Sequence, residues 1–127
     1  MKEVVRTDSA PAPFQGAPYS QAIKANGFVF VAGQVGIEAD NPQPVGDGIR
    51  AQTEQTLMNL RAILEAAGSG MDKLVKTTVF LANLDDFQGM NEVYARHVGD
   101  QPPARSTVEV AKLPPGLLVE IEAIALQ

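Results

Sequence analysis

A chain of 127 residues is expected to form one domain spanning residues 1–127, long enough to bury a core and too short to divide into two. Its hydrophobic fraction of 45% is that of an ordinary globular domain, and a formal net charge of -5, with no run of Lys or Arg, argues against a partner held by its phosphate backbone. The lack of cysteine removes disulfides, thiolate nucleophiles and cysteine metal sites together. Neither a signal-peptide core nor an apolar run of membrane-spanning length occurs, so the cytoplasm is the expected compartment.

In chain order, residues 3–6 read as a short strand that ends in a stretch carrying Pro11, Pro13, Gly16 and Pro18. Residues 19–24 read as a second strand, and Asn26-Gly27 turns it into a third, Phe28-Val29-Phe30-Val31-Ala32, making a hairpin. Gly33 is expected to close that strand, either letting a ligand or another backbone come close or marking a simple bulge. Residues 38–48, with Asp40-Asn41-Pro42-Gln43-Pro44-Val45-Gly46, read as a loop, and Asp47 as the cap of the helix that follows. Ile49, Thr53, Leu57, Leu60, Leu64 and Ala67 recur at helical spacing up to Gly68, a stripe read entirely as core, with Arg50, Glu54 and Arg61 on the wetter side.

The β-branched run 75–81 predicts another strand. A second helix begins near Asp85 as cap and turns Phe87, Met90, Tyr94 and Val98 toward the sheet, with Asn91 at the edge of that stripe. His97 is the only histidine, and without a second histidine or a carboxylate at metal-ligand spacing it is expected to be exposed. Two period-two stretches follow, residues 103–110 and 119–125, broken by Leu113-Pro114-Pro115-Gly116. If each buries its Val/Ile face, Arg105, Thr107, Glu109, Glu120 and Glu122 all turn outward together. Two helices cover only one face of a six-stranded sheet, so the class is α+β and other chains are expected to cover the second face.

Pro103-Ala104-Arg105-Ser106, Val108-Glu109-Val110-Ala111-Lys112-Leu113-Pro114 and Val119-Glu120-Ile121-Glu122-Ala123 resemble the signature of the RidA (YjgF/YER057c/UK114) family of reactive imine deaminases. So do Gly16-Ala17-Pro18-Tyr19-Ser20-Gln21-Ala22, Val31-Ala32-Gly33-Gln34, Lys76-Thr77-Thr78-Val79-Phe80-Leu81 and Met90-Asn91-Glu92-Val93-Tyr94, in order along nearly the whole chain. The resemblance implies a chorismate-mutase-like α+β domain: a six-stranded mixed sheet with two helices on one face, forming a homotrimer with sites between subunits. It also implies hydrolysis of reactive 2-imino (enamine) acids, of the 2-aminoacrylate and 2-iminobutyrate type, to 2-keto acids and ammonia, without metal or organic cofactor.

In the roles so implied, Arg105 grips the substrate carboxylate and Glu120 readies the attacking water. Tyr19 closes the pocket, the Gly33 backbone meets the ligand, and Asn91 and Thr107 line it. Two positions depart from the family pattern: Ala32 stands where many active members carry serine, and Thr107 where cysteine is frequent, Thr107 still offering a hydroxyl. One alternative is a regulatory protein that binds small 2-keto or 2-imino carboxylates without turnover. Another, a ribonuclease or translation inhibitor, is disfavoured by the acidic composition.

Overall fold

A computed structural model describes residues 1–46 and 48–127. The elements run β1 (Glu3–Val5), β2 (Ala22–Ala25), β3 (Phe28–Val35), β4 (Ile37–Glu38), β5 (Asn41–Pro44), α1 (Ile49–Ala66), β6 (Leu74–Leu81), α2 (Phe87–Val98), β7 (Ala104–Glu109) and β8 (Val119–Leu126). Asn26 at φ 53° and Gly27 at φ 84° both take the left-handed conformation that a two-residue hairpin needs, which sets β2 against β3. α1 stops where Gly68 turns left-handed. There the Gly68 and Ser69 amides donate back to the Glu65 and Leu64 carbonyls at 3.0 and 2.8 Å, closing the helix end.

Six strands form one sheet in the order β1-β2-β3-β8-β6-β7, antiparallel except for the parallel pair β6 and β7 that α2 connects. Both helices pack on one face of this α+β sheet. Val29, Val79, Leu81, Val119 and Ile121 are buried there with Leu57, Leu60, Ile63 and Leu64 of α1 and Met90 and Val93 of α2. Each such side chain contributes about 1.5–3 kcal/mol by leaving water. Among the described residues no α-helix covers the other face. Phe30, Val108 and Leu126 stand on it 43%, 44% and 48% exposed, beside Phe28, Phe80 and Ile124.

Several expectations change. β2 starts only at Ala22, leaving Tyr19 in the preceding loop, and β3 runs through Gly33 to Val35 instead of ending there. Residues 38–48 are not simply a loop: β4 and β5 pair as a separate two-stranded ribbon, where Pro42 and Pro44 are tolerated because no third strand asks for their missing amides. The proposed cap Asp47 lies outside the described residues. Near Asp85 the capping oxygen belongs to Asn83, whose side chain accepts from the Asp85 amide at 2.9 Å.

His97 is not exposed. Its side chain is 11% accessible, and its Nε2 lies 2.8 Å from Glu54, tying α2 to α1. The α1 stripe is also more than apolar core. Buried Gln52 donates to the Gly116 carbonyl and accepts from the Leu118 amide, both at 2.8 Å, and Asn59 donates to the Val35 and Ile37 carbonyls. These amides fasten the end of β3 and the turn before β8 to the helix.

Candidate active site

The predicted site residues fall into two groups on opposite faces of the sheet. On the helix-free face, β3 carries one extra residue at Ala32-Gly33, since Val31 pairs with Ala123 but Gln34 with Ile121. The bulge brings the Gly33 backbone against the Glu120 side chain. A Cβ at position 33 would fall 2.8 Å from the Glu120 Cδ and push the carboxylate aside, so glycine leaves it where it stands.

Glu120 borders a cavity of about 290 Å³ whose other walls are Phe14, Tyr19, Ala32, Gly33, Val35 and Pro114. This largely apolar setting pushes the Glu120 carboxyl above the usual carboxylate range, chiefly by desolvation, with repulsion from Glu122 adding to it. The Tyr19 hydroxyl accepts a hydrogen bond from the Phe14 amide at 2.7 Å, which leaves its own proton available to a ligand.

On the helix side, Arg105 reaches from edge strand β7 under α2. Its guanidinium carbon lies 4.8 Å from the Tyr94 ring centre and 5.6 Å from that of Phe87. The ion pairs of the described residues are Lys24 with Glu3, Arg50 with Glu92 and His97 with Glu54, so no carboxylate occupies Arg105. Asn91 lies between Phe87 and Tyr94 on the same helix stripe, and Thr107 follows Arg105 on the same strand face. Asn91 Oδ1 and Thr107 Oγ1 are both buried without a hydrogen-bond partner. Buried polar atoms are seldom left so, and these two, beside a cation with no carboxylate partner among the described residues, have hydrogen-bonding capacity to spare.

The expectation that Arg105 and Glu120 share one outward face is therefore wrong. In register, Arg105 pairs with Thr77, which pairs with Ala123 on the core side, whereas Glu120 pairs with Phe80, which pairs with Val108 on the open side. Alternation separated the two faces of β7 correctly. It could not tell that α2 covers the Arg105 face while Val108, the apolar one, is left in the open. Phe87 is correspondingly not core but 40% exposed at the rim beside Arg105. Phe14 and Pro114 were missed as lining residues because nothing local distinguishes them from ordinary loop residues. Among the described residues no three His, Asp or Glu side chains group to hold a metal ion, and no helix is long and apolar enough to cross a membrane.

Fold and site define a small α+β domain with two separate polar clusters, one around a guanidinium with no ion pair among the described residues and the other around a desolvated carboxylate. The family model described as Endoribonuclease L-PSP matches residues 7–127. A RutC family protein of Pyrococcus horikoshii is 51% identical over 125 residues, covering 98% of each chain. A Mus musculus protein named 2-iminobutanoate/2-iminopropanoate deaminase is 42% identical over 127 residues, covering 100% of this chain and 93% of its own. The crystal structure of E. coli TdcF with bound serine superposes with a TM-score of 0.90 at 35% identity, covering 98% of each chain. The chain belongs to this Endoribonuclease L-PSP family, the RidA family whose signature it carries.

Proposed function

We propose that the protein is a hydrolase of reactive 2-imino acids, converting 2-iminobutyrate and the imine of 2-aminoacrylate to 2-keto acids and ammonia in sites shared between subunits of a homotrimer. The observation that carries this reading is Arg105: a partly buried guanidinium on two aromatic rings, without a carboxylate, flanked by unsatisfied Asn91 and Thr107 oxygens. Such a fork holds a carboxylate through two parallel hydrogen bonds and fixes the neighbouring imine carbon. The relatives named as imine deaminases and the structural neighbour with bound serine, itself an amino acid, support the same substrate class.

Hydrolysis then requires a base. Glu120 takes a proton from water as its oxygen adds to the imine carbon and the imine nitrogen gains a proton, giving a carbinolamine. The C–N bond breaks as the carbinolamine hydroxyl loses its proton, releasing ammonia and leaving the 2-keto acid. Desolvation raises the Glu120 pKa and favours it as a base near neutral pH, while a guanidinium across the shared site acts in the opposite direction. Tyr19 and the Gly33 backbone hold the ligand beside it. The net charge of -5 offers RNA phosphates little attraction, so ribonuclease activity is not the reading favoured here.

Since Arg105 and Glu120 face opposite ways within one chain, each site must combine Arg105 of one subunit with Glu120 of another. The exposed apolar face carrying Phe30, Val108 and Leu126 supplies the contact surface. Complementation tests activity and architecture together, with 2-iminobutyrate generated in place by an amino-acid oxidase. Arg105→Ala and Glu120→Gln should each abolish acceleration, while co-refolded mixtures should recover roughly a quarter of wild-type activity, because random assembly pairs two intact halves that often. Wild-type protein that does not outpace buffer would refute the enzyme, and mixtures that stay inactive would refute the shared site.

A further inference from the structure

We propose that Tyr94 is the positioning residue that aims Arg105, its ring orienting the guanidinium and its hydroxyl, anchored to Thr77, fixing the ring. The inference rests on the reading of Arg105 as the carboxylate clamp. A half-buried arginine is usually oriented by an acidic partner, but such a partner occupies the N–H donors that a substrate carboxylate needs. An aromatic face attracts the cation without engaging its in-plane donors, so it orients the fork and leaves it free. The Tyr94 ring, 4.8 Å from the guanidinium carbon, meets that requirement.

A phenylalanine would provide the same face, yet here the hydroxyl has a task of its own. Tyr94 is 5% exposed, and its oxygen lies 2.6 Å from the Oγ1 of Thr77, a residue 1% exposed. Thr77 pairs directly with Arg105 across β6 and β7. The hydroxyl therefore ties the α2 ring to the strand beside the one that carries the arginine. This bond fixes the height and tilt of the ring above Arg105; burial raises the Tyr94 pKa, while the Thr77 hydrogen bond and the nearby Arg105 guanidinium act against that rise.

The composition supplies a direct probe. The chain has two tyrosines and no tryptophan, so the tyrosine absorption of the unaltered protein less that of Tyr94→Phe isolates Tyr94. Titrating both with 2-ketobutyrate, the stable product, should give a tyrosine difference spectrum present only in the unaltered protein, with a midpoint that matches its calorimetric Kd, and Arg105→Ala should remove it. Tyr94→Leu should raise KM for 2-iminobutyrate about 5- to 30-fold with kcat within about two-fold, and Tyr94→Phe should restore KM to within about three-fold.

Calorimetric binding with a silent tyrosine spectrum, or an unchanged KM in Tyr94→Leu, would overturn the positioning role and leave the clamp standing. So would kcat and KM worsening together in both Tyr94 variants, the mark of a merely structural residue. Failure of the unaltered protein to bind 2-ketobutyrate would overturn the clamp and this inference together. If Tyr94→Leu does not fold, the absorption titration decides alone.

Discussion

Replacing Arg105 separates binding from folding, because its guanidinium holds little of the fold together. Its guanidinium forms no ion pair among the described residues, so Arg105→Ala removes only its packing on Phe87 and Tyr94, worth about 0.5–1 kcal/mol of stability. A bound carboxylate, in contrast, loses two charge-assisted hydrogen bonds, about 3–5 kcal/mol, a weakening on the order of a hundred- to several-thousand-fold. Arg105→Lys keeps the charge but loses the fork and the flat stacking, and should give an intermediate loss of about ten- to a hundred-fold. Calorimetric titration with 2-ketobutyrate measures the binding, and scanning calorimetry of the unliganded protein measures the fold. A variant that melts far below wild type while still binding 2-ketobutyrate would show Arg105 to be structural and refute the reasoning.

Three further outcomes follow from the geometry. Burial and Glu122 raise the Glu120 pKa, so the folded chain holds that proton to higher pH than the unfolded one, and stability declines as pH rises from the ordinary carboxylate range through the raised value. In the Arg105→Ala background, which removes the guanidinium that the proposed shared site would bring to oppose the effect, Glu120→Gln should raise Tm at neutral pH and not in strong acid, and equal gains at both would contradict the shift. Gly33→Ala pushes the flexible end of Glu120 out of place and should cost little stability, under about 1 kcal/mol, but up to about a hundred-fold in kcat, with steady-state kinetics and thermal melts as the check. Gln52→Leu strands the Gly116 carbonyl and the Leu118 amide at about 1–3 kcal/mol each and should lower Tm by on the order of 10 °C in a thermal melt.

What could be read from the sequence was local and periodic. The stripe from Ile49 to Ala67, the β-branched run before Leu81 and the alternation around Val108 and Ile121 are each written in consecutive residues, and each became the expected element. The arginine, the carboxylate and the family signature around them were legible for the same reason. The Asn41–Pro44 strand was not, because its composition is that of a loop and only its pairing with Ile37 and Glu38 makes it a strand. Nor was the seating of His97 on Glu54, a contact between residues 43 apart in sequence.

The face on which each charge stands was decided by tertiary structure alone. Period-two alternation states that Arg105 and Val108 point opposite ways but carries no information on which side a helix will cover. The crossover through α2 placed Arg105 under Phe87 and Tyr94 and left Glu120 on the open side against Gly33. Residue types thus determined what chemistry the chain can offer. The path of the backbone determined that Arg105 and Glu120 stand on opposite faces of one sheet.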